Sequence, residues 1–199
     1  LALTREQFIW SPNTWSANPR NLIKVIKKEL IELNVKIVLN RKIVSQRKNT
    51  LIDSENNKSP INFFINSPGG SVTSGLAILD TLQYILPHTE VSTICNGFVS
   101  GLSTLILASG SKGLRFSYPN SKISLSEISY PEKKEIITSE DVHSMRRAKA
   151  EIYGRLLEKT NQNLERIKED SKYWSSRGDN FLTPKEAIFY GIIDEIIND

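Results

Sequence analysis

The sequence predicts an α/β fold, and three observations carry that prediction. Short apolar runs of strand character alternate with longer segments whose apolar residues recur at helical spacing. Glycine and proline punctuate the boundaries, at Ser67-Pro68-Gly69-Gly70, at Pro87 and at Pro119-Asn120. A chain of 199 residues, 39% of them hydrophobic, is long enough for one domain with its own core.

The first sixty residues carry the weakest pattern. Leu22, Ile23, Ile26, Leu30 and Ile31 lie at roughly helical spacing, which predicts an amphipathic helix within residues 21–36. Residues 40–60 are polar and broken by Asp53, Ser54, Asn56, Asn57 and Pro60, and read as loop.

From residue 61 the pattern sharpens. Ile61 to Ile65 is a strand, stopped by a turn that glycine makes sterically accessible. Ser74 to Leu86 is a helix with Leu76, Leu79, Leu82 and Ile85 on one face, ended before Pro87. Val91 to Phe98 is a second strand. Leu102 to Ala108 is a short helix apolar all round, a character that belongs in the interior. Leu114 to Tyr118 and Lys122 to Ile128 are two more strands. Thr138 with Asp141 three residues on predicts a capped helix start, and Val142, Met145, Ala148, Ile152 and Leu156 form the apolar stripe of the helix it opens. Leu164 to Trp174 is a further helix, and Pro184 opens another at its first turn.

Composition narrows the functional classes. The formal net charge is +4, with no basic block interleaved with aromatics, so nucleic acid is not an expected partner. The apolar run Leu102 to Ala108 is far too short to span a bilayer, and no membrane partner is expected. Cys95 is the one cysteine, so no intrachain disulfide forms, and its position in a strand suits a buried apolar residue. No spacing of His, Cys and carboxylates suggests a metal, and no glycine loop of phosphate-binding type is present; no cofactor is expected. Residue 1 is Leu, which suggests a trimmed or processed chain from which any targeting peptide has gone.

Several motifs together resemble the proteolytic subunit of the Clp protease, ClpP. They are Ile65-Asn66-Ser67-Pro68-Gly69-Gly70-Ser71, then Ile94-Cys95-Asn96-Gly97-Phe98-Val99-Ser100-Gly101-Leu102-Ser103, then Pro119-Asn120-Ser121, and finally Glu186-Ala187-Ile188-Phe189-Tyr190-Gly191-Ile192-Ile193-Asp194. They cover residues 61–199 in order. The resemblance implies a repeated β-β-α spiral shared with the crotonase superfamily, as a single domain with a handle-type helix. On this view residues 1–60 are a weakly patterned N-terminal segment, and residues 61–199 form head and handle.

Peptide hydrolysis by a serine enzyme needs a nucleophile, a base, an orienting acid and oxyanion donors. The resemblance implies that the nucleophile falls at Gly101, the base at Ser126 and the acid at Asp170. Glycine and serine at the first two positions leave the triad without its serine and histidine. The oxyanion donors would be the backbone N–H groups of Gly70 and Leu102, which a side-chain substitution does not delete. The Ser67-Pro68-Gly69-Gly70 segment reads equally well as a turn packed closely against its neighbour.

Replacement residues are poorly placed. Ser100 and Ser103 flank the vacancy, but each reads more simply as a hydroxyl capping backbone groups at a helix start. The chain has two histidines, His88 and His143, and neither falls at the base position. Lys112 and Lys122 read as solvated charges, so a serine–lysine dyad lacks a marked lysine.

The sequence is most similar to the degenerate subunits called ClpR. This similarity implies a pseudoprotease in a homo-heptameric ring, a catalytic ClpP subunit and an AAA+ Clp chaperone as partners, and a plastid-type organelle (apicoplast or chloroplast) as compartment, with the bacterial cytoplasm as the alternative. An active peptidase with its nucleophile moved to Ser100 or Ser103, and a crotonase-like acyl-CoA protein, are the competing readings. Two departures from ClpP bear on assembly. The handle stretch Ile128-Ser129-Tyr130-Pro131-Glu132-Lys133-Lys134-Glu135 lacks the family's glycines and ends in four successive charges, which should weaken ring stacking. An insertion between Asp170 and Asp179 should shift Asp170 from its family position.

Overall fold

The computed structural model describes residues 30, 35–39, 61–126, 138–176 and 181–197. These build one mixed sheet and the helices around it. The strands are β1 (Val35–Leu39), β2 (Ile61–Ser67), β3 (Val91–Ser100), β4 (Arg115–Ser117), β5 (Lys122–Ser124) and β6 (Glu195–Ile196). The helices are α1 (Val72–Ile85), α2 (Leu102–Ala108), α3 (Ser139–Lys159), α4 (Leu164–Ser176) and α5 (Pro184–Tyr190). The sheet order is β1-β2-β3-β4-β6, with β5 set against the C-terminal part of β3. Only the β1–β2 pair is antiparallel among these described strands.

Parallel central strands must be covered on both faces, and the burial of β2 and β3 shows that they are. Ile61, Phe63 and Ile65 of β2 and Val91, Ile94 and Cys95 of β3 are essentially without exposure. Ile78, Leu82 and Ile85 of α1 pack into the same core, as do Leu105, Ile106 and Leu107 of α2. Every residue of α2 is buried, the polar Ser103 and Thr104 along with the five apolar ones. Polar groups in and beside it are paired: Thr104 Oγ1 donates to the Ser124 carbonyl at 2.6 Å, and Ser109 Oγ to the Leu105 carbonyl at 2.7 Å.

Between Ile65 and Ser67 the β2–β3 register slips, so that Ser67 faces Val99 rather than the residue two beyond Cys95. The extra length lies in β3 at Asn96 and Gly97. Its freed N–H groups are taken by side chains: Gly97 N–H donates to Ser121 Oγ at 3.2 Å and Phe98 N–H to Asn66 Oδ1 at 3.2 Å. Such a bulge re-aims the end of the strand, here the end that leads into Gly101.

A buried arginine joins the far side. Arg115 Nη1 donates to the carbonyls of Ala108, Lys159 and Gly191 at 3.3, 3.0 and 2.7 Å, close to the C-termini of α2, α3 and α5. Cations suit helix C-termini, and one guanidinium here serves three. Its charge is balanced by Asp194, bound through Nε at 2.9 Å and Nη2 at 2.6 Å.

The predicted capping box is present, with Thr138 and Asp141 bonded reciprocally at the start of α3. The stripe of α3 is buried at Ile152 and Leu156 but only half-buried at Val142, Met145 and Ala148. A second capping box opens α5, where Pro184 takes the first turn as expected. The N-terminal expectation needs correction. Leu30 is helical and buried, but Val35 and Lys36 belong to a strand, because residues 35–39 pair with β2 in full register. Three β-branched residues in five favour that outcome. Strand β3 also runs beyond Phe98 to Ser100, and β5 stops at Ser124. The loop expected over 40–60, the handle stretch from 128 to 135 and the last part of the insertion ahead of Asp179 (residues 177–178) lie outside the described residues. Among the described residues no helix is long and apolar enough to cross a membrane.

Candidate functional site

Gly101 stands where β3 ends and α2 begins, with φ 57° and ψ −126°. L-residues with side chains rarely adopt such a φ. A Cβ built on this glycine meets no atom within 4 Å. The backbone therefore has the sharp strand-to-helix bend on which hydrolases raise a nucleophile above a sheet. The place of the side chain is open space.

The glycine loop after β2 closes on this bend. A Cβ on Gly69, which has φ 96°, would lie 3.1 Å from the Ser100 carbonyl oxygen and 3.8 Å from Leu102 N. Close packing is thus the role of Gly69. Neither Gly70 N–H nor Leu102 N–H donates a hydrogen bond to another of the described residues. Among the described residues the two donors named from the sequence are uncommitted, and one of them heads α2.

The flanking serines are committed. Ser103 Oγ lies 2.8 Å from the Ser67 carbonyl and 2.7 Å from the Ser100 carbonyl, so its single proton is shared between two acceptors. Its side chain has no exposure. It ties β2, β3 and α2 together. Ser100 is 4% exposed, and its Oγ is hydrogen-bonded to Ser126 Oγ. The sheet register brings them together, since Ser100 pairs with Ser124 two residues before Ser126. Two hydroxyls form this contact, and neither can act as an efficient base for the other.

Asp170 lies on α4, and its neighbours are different ones. Its Oδ2 accepts from Tyr190 Oη at 3.0 Å and lies 3.6 Å from Arg166 Nε. Its side chain is 26% exposed. Helix α4 continues past it to Ser176. The structure therefore joins Ser100 to Ser126, sets the glycine loop against the Gly101 bend, and gives Asp170 to Tyr190.

The other titratable candidates stand apart. His88 and His143 are exposed, the former against the Tyr84 ring with centroids 5.8 Å apart. Lys112 is exposed, and Lys122 holds its Nζ 5.0 Å over the Phe181 ring. Cys95 is buried, and that burial pushes its thiol up to about 11, which makes it a poor nucleophile. Sequence reasoning missed the Ser100–Ser126 pair and the partnership of Tyr190 with Asp170. Strand register, once known, would have given the first; nothing in the local sequence marks the second.

A mainly parallel sheet has its central strand break at a positive-φ residue into a buried helix, beneath a glycine loop, a frame like that on which serine hydrolases carry a nucleophile. The family model of the Clp protease matches residues 21–199, and the chain belongs to that family. The match begins ahead of β1 and so takes in that strand. Proteins of this family usually form rings with Clp chaperones.

Proposed function

We propose that this chain is a non-catalytic subunit of a Clp protease complex, with a structural and regulatory role in ring assembly and ATP-dependent proteolysis. One observation carries the proposal: the bend that would hold a nucleophile holds Gly101, and the space its side chain would fill is open. Supporting it, the hydroxyl at position 126 is bonded to Ser100 and offers no base. Family membership supports the ring and the chaperone as the setting. A subunit of this kind supplies wall and docking surface without cutting.

The competing reading moves the nucleophile to Ser100 or Ser103. Burial of both side chains and the shared proton of Ser103 argue against it. Displacing a nucleophile by even about 1 Å costs on the order of 100-fold in rate.

The test is incubation of the purified protein with a fluorophosphonate, read by intact mass beside a fluorogenic peptide assay. The expected result is no adduct and no turnover. A stoichiometric adduct, with turnover abolished by Ser100→Ala or Ser103→Ala, would overturn the proposal.

A further inference from the structure

We propose that Asp170 and Tyr190 form a latch that fastens α5 to α4 and to the α3–α4 junction. Tyr190 is the last residue of α5 and is 3% exposed. A phenol that deep must find a partner, because an unpaired buried hydroxyl costs free energy. Its Oη donates to Asp170 Oδ2 at 3.0 Å. Its carbonyl accepts from Asn161 N–H at 3.3 Å and lies 3.4 Å from Gln162 Nε2. The same residue is thus held at both ends, by α4 through its side chain and by residues 161–162 through its backbone.

The ranking of Asp170's partners points the same way. Arg166 is 54% exposed and 3.6 Å from the carboxylate, a distance and exposure at which an ion pair contributes little. Its guanidinium lies 6.0 Å from the centroid of the Tyr190 ring, so it covers the latch more than it neutralises the acid. Burial, and then the Asp170 charge, push the Tyr190 phenol well above its ordinary value, so it remains a donor. The residues just beyond Tyr190 give the fastening its purpose. Gly191 gives its carbonyl to Arg115, and Asp194 balances that arginine's charge. Helix α5 therefore carries the turn that completes the buried arginine cluster. The Tyr190 phenol is thus the partner that the structure gives Asp170 at hydrogen-bond distance.

The experiment uses the full chain with Tyr190→Phe, Asp170→Ala, the double variant, and Asp170→Asn. The readouts are the thermal midpoint and backbone hydrogen exchange resolved by segment. Each of Tyr190→Phe and Asp170→Ala should lower the midpoint by roughly 3 °C, and the double variant by no more than the larger single change. Exchange in α5 and in residues 160–163 should quicken roughly tenfold while β3 is unchanged. Asp170→Asn keeps an acceptor for the phenol and should restore most of the protection lost in Asp170→Ala. Additive midpoint shifts, or Tyr190→Phe leaving exchange in α5 unaltered, would overturn the latch. If Asp170→Ala does not fold, Tyr190→Phe and Asp170→Asn decide by the same exchange readout.

Discussion

At the scale of single residues, Gly101 unites a vacancy and a strained conformation. A serine there would find room, since a Cβ meets nothing within 4 Å, yet it would have to accept a φ of 57°. Holding a non-glycine residue in such a region costs about 1–3 kcal/mol. Gly101→Ser should therefore fold, with its thermal midpoint lowered by roughly 5 °C. It should not cleave peptides, because the Ser126 hydroxyl cannot take its proton. Adding Ser126→His supplies a base at the neighbouring position, and fluorophosphonate labelling should appear only in that double variant. Intact mass and midpoint measured together check this; peptide turnover by Gly101→Ser alone would contradict it. Gly69 makes the complementary point. It is fixed by a close approach, 3.1 Å from Cβ to the Ser100 carbonyl, so Gly69→Ala should unsettle the bend without touching any reactive group.

At the scale of elements, the composition of residues 128–135 bears on the assembly proposed above. Residues 128–135 carry no glycine and end in Glu132-Lys133-Lys134-Glu135, a composition that suits solvent better than a flat pairing surface. We expect single rings to dominate over stacked pairs, and native mass spectrometry on the purified protein reads this directly; a predominant double-ring particle would refute it. Elements with strong local signals are legible in the sequence. Helix α2 has the bounds its residues dictate because a largely apolar run of seven has one sensible place; the Thr138–Asp141 capping signal announces α3, and Pro184 announces α5. Strand β1 is not legible. Val35 and Lys36 continue a helical spacing that begins at Leu22, and only pairing with β2, a partner distant in sequence, turns them into strand. The site divides likewise. The Gly101 bend arises from a strand running into a buried helix, whereas the Ser100–Ser126 contact depends on the register of β3 against β5. The Tyr190–Asp170 bond depends on how α5 returns to α4, which no periodicity records.

At the scale of the whole molecule, stability converges on Arg115 and Asp194, because that pair closes three helix ends against one edge of the sheet. The Arg115 and Asp194 side chains are 10% and 19% exposed, so removing one partner strands the other in a poorly hydrated place. Losing one member of a buried pair is strongly destabilising, and Asp194→Asn should cost about 3 kcal/mol near neutral pH. The dependence on pH has a definite sign. Burial alone would raise the Asp194 carboxyl, but bonds and charge from Arg115, with the N–H groups of Arg115 and Gly113, outweigh it and hold it below its ordinary 3.8. A carboxylate depressed by folding stabilises the protein above its unfolded value, and that contribution is lost as pH falls through the folded value. Urea unfolding of wild type and Asp194→Asn, repeated from about pH 6 to about pH 3, should show a gap that is constant at first and narrows in the acid range. A gap that stays constant to the acid end would mean that the carboxylate's charge contributes nothing. The three helix ends would then owe their anchoring to the guanidinium alone.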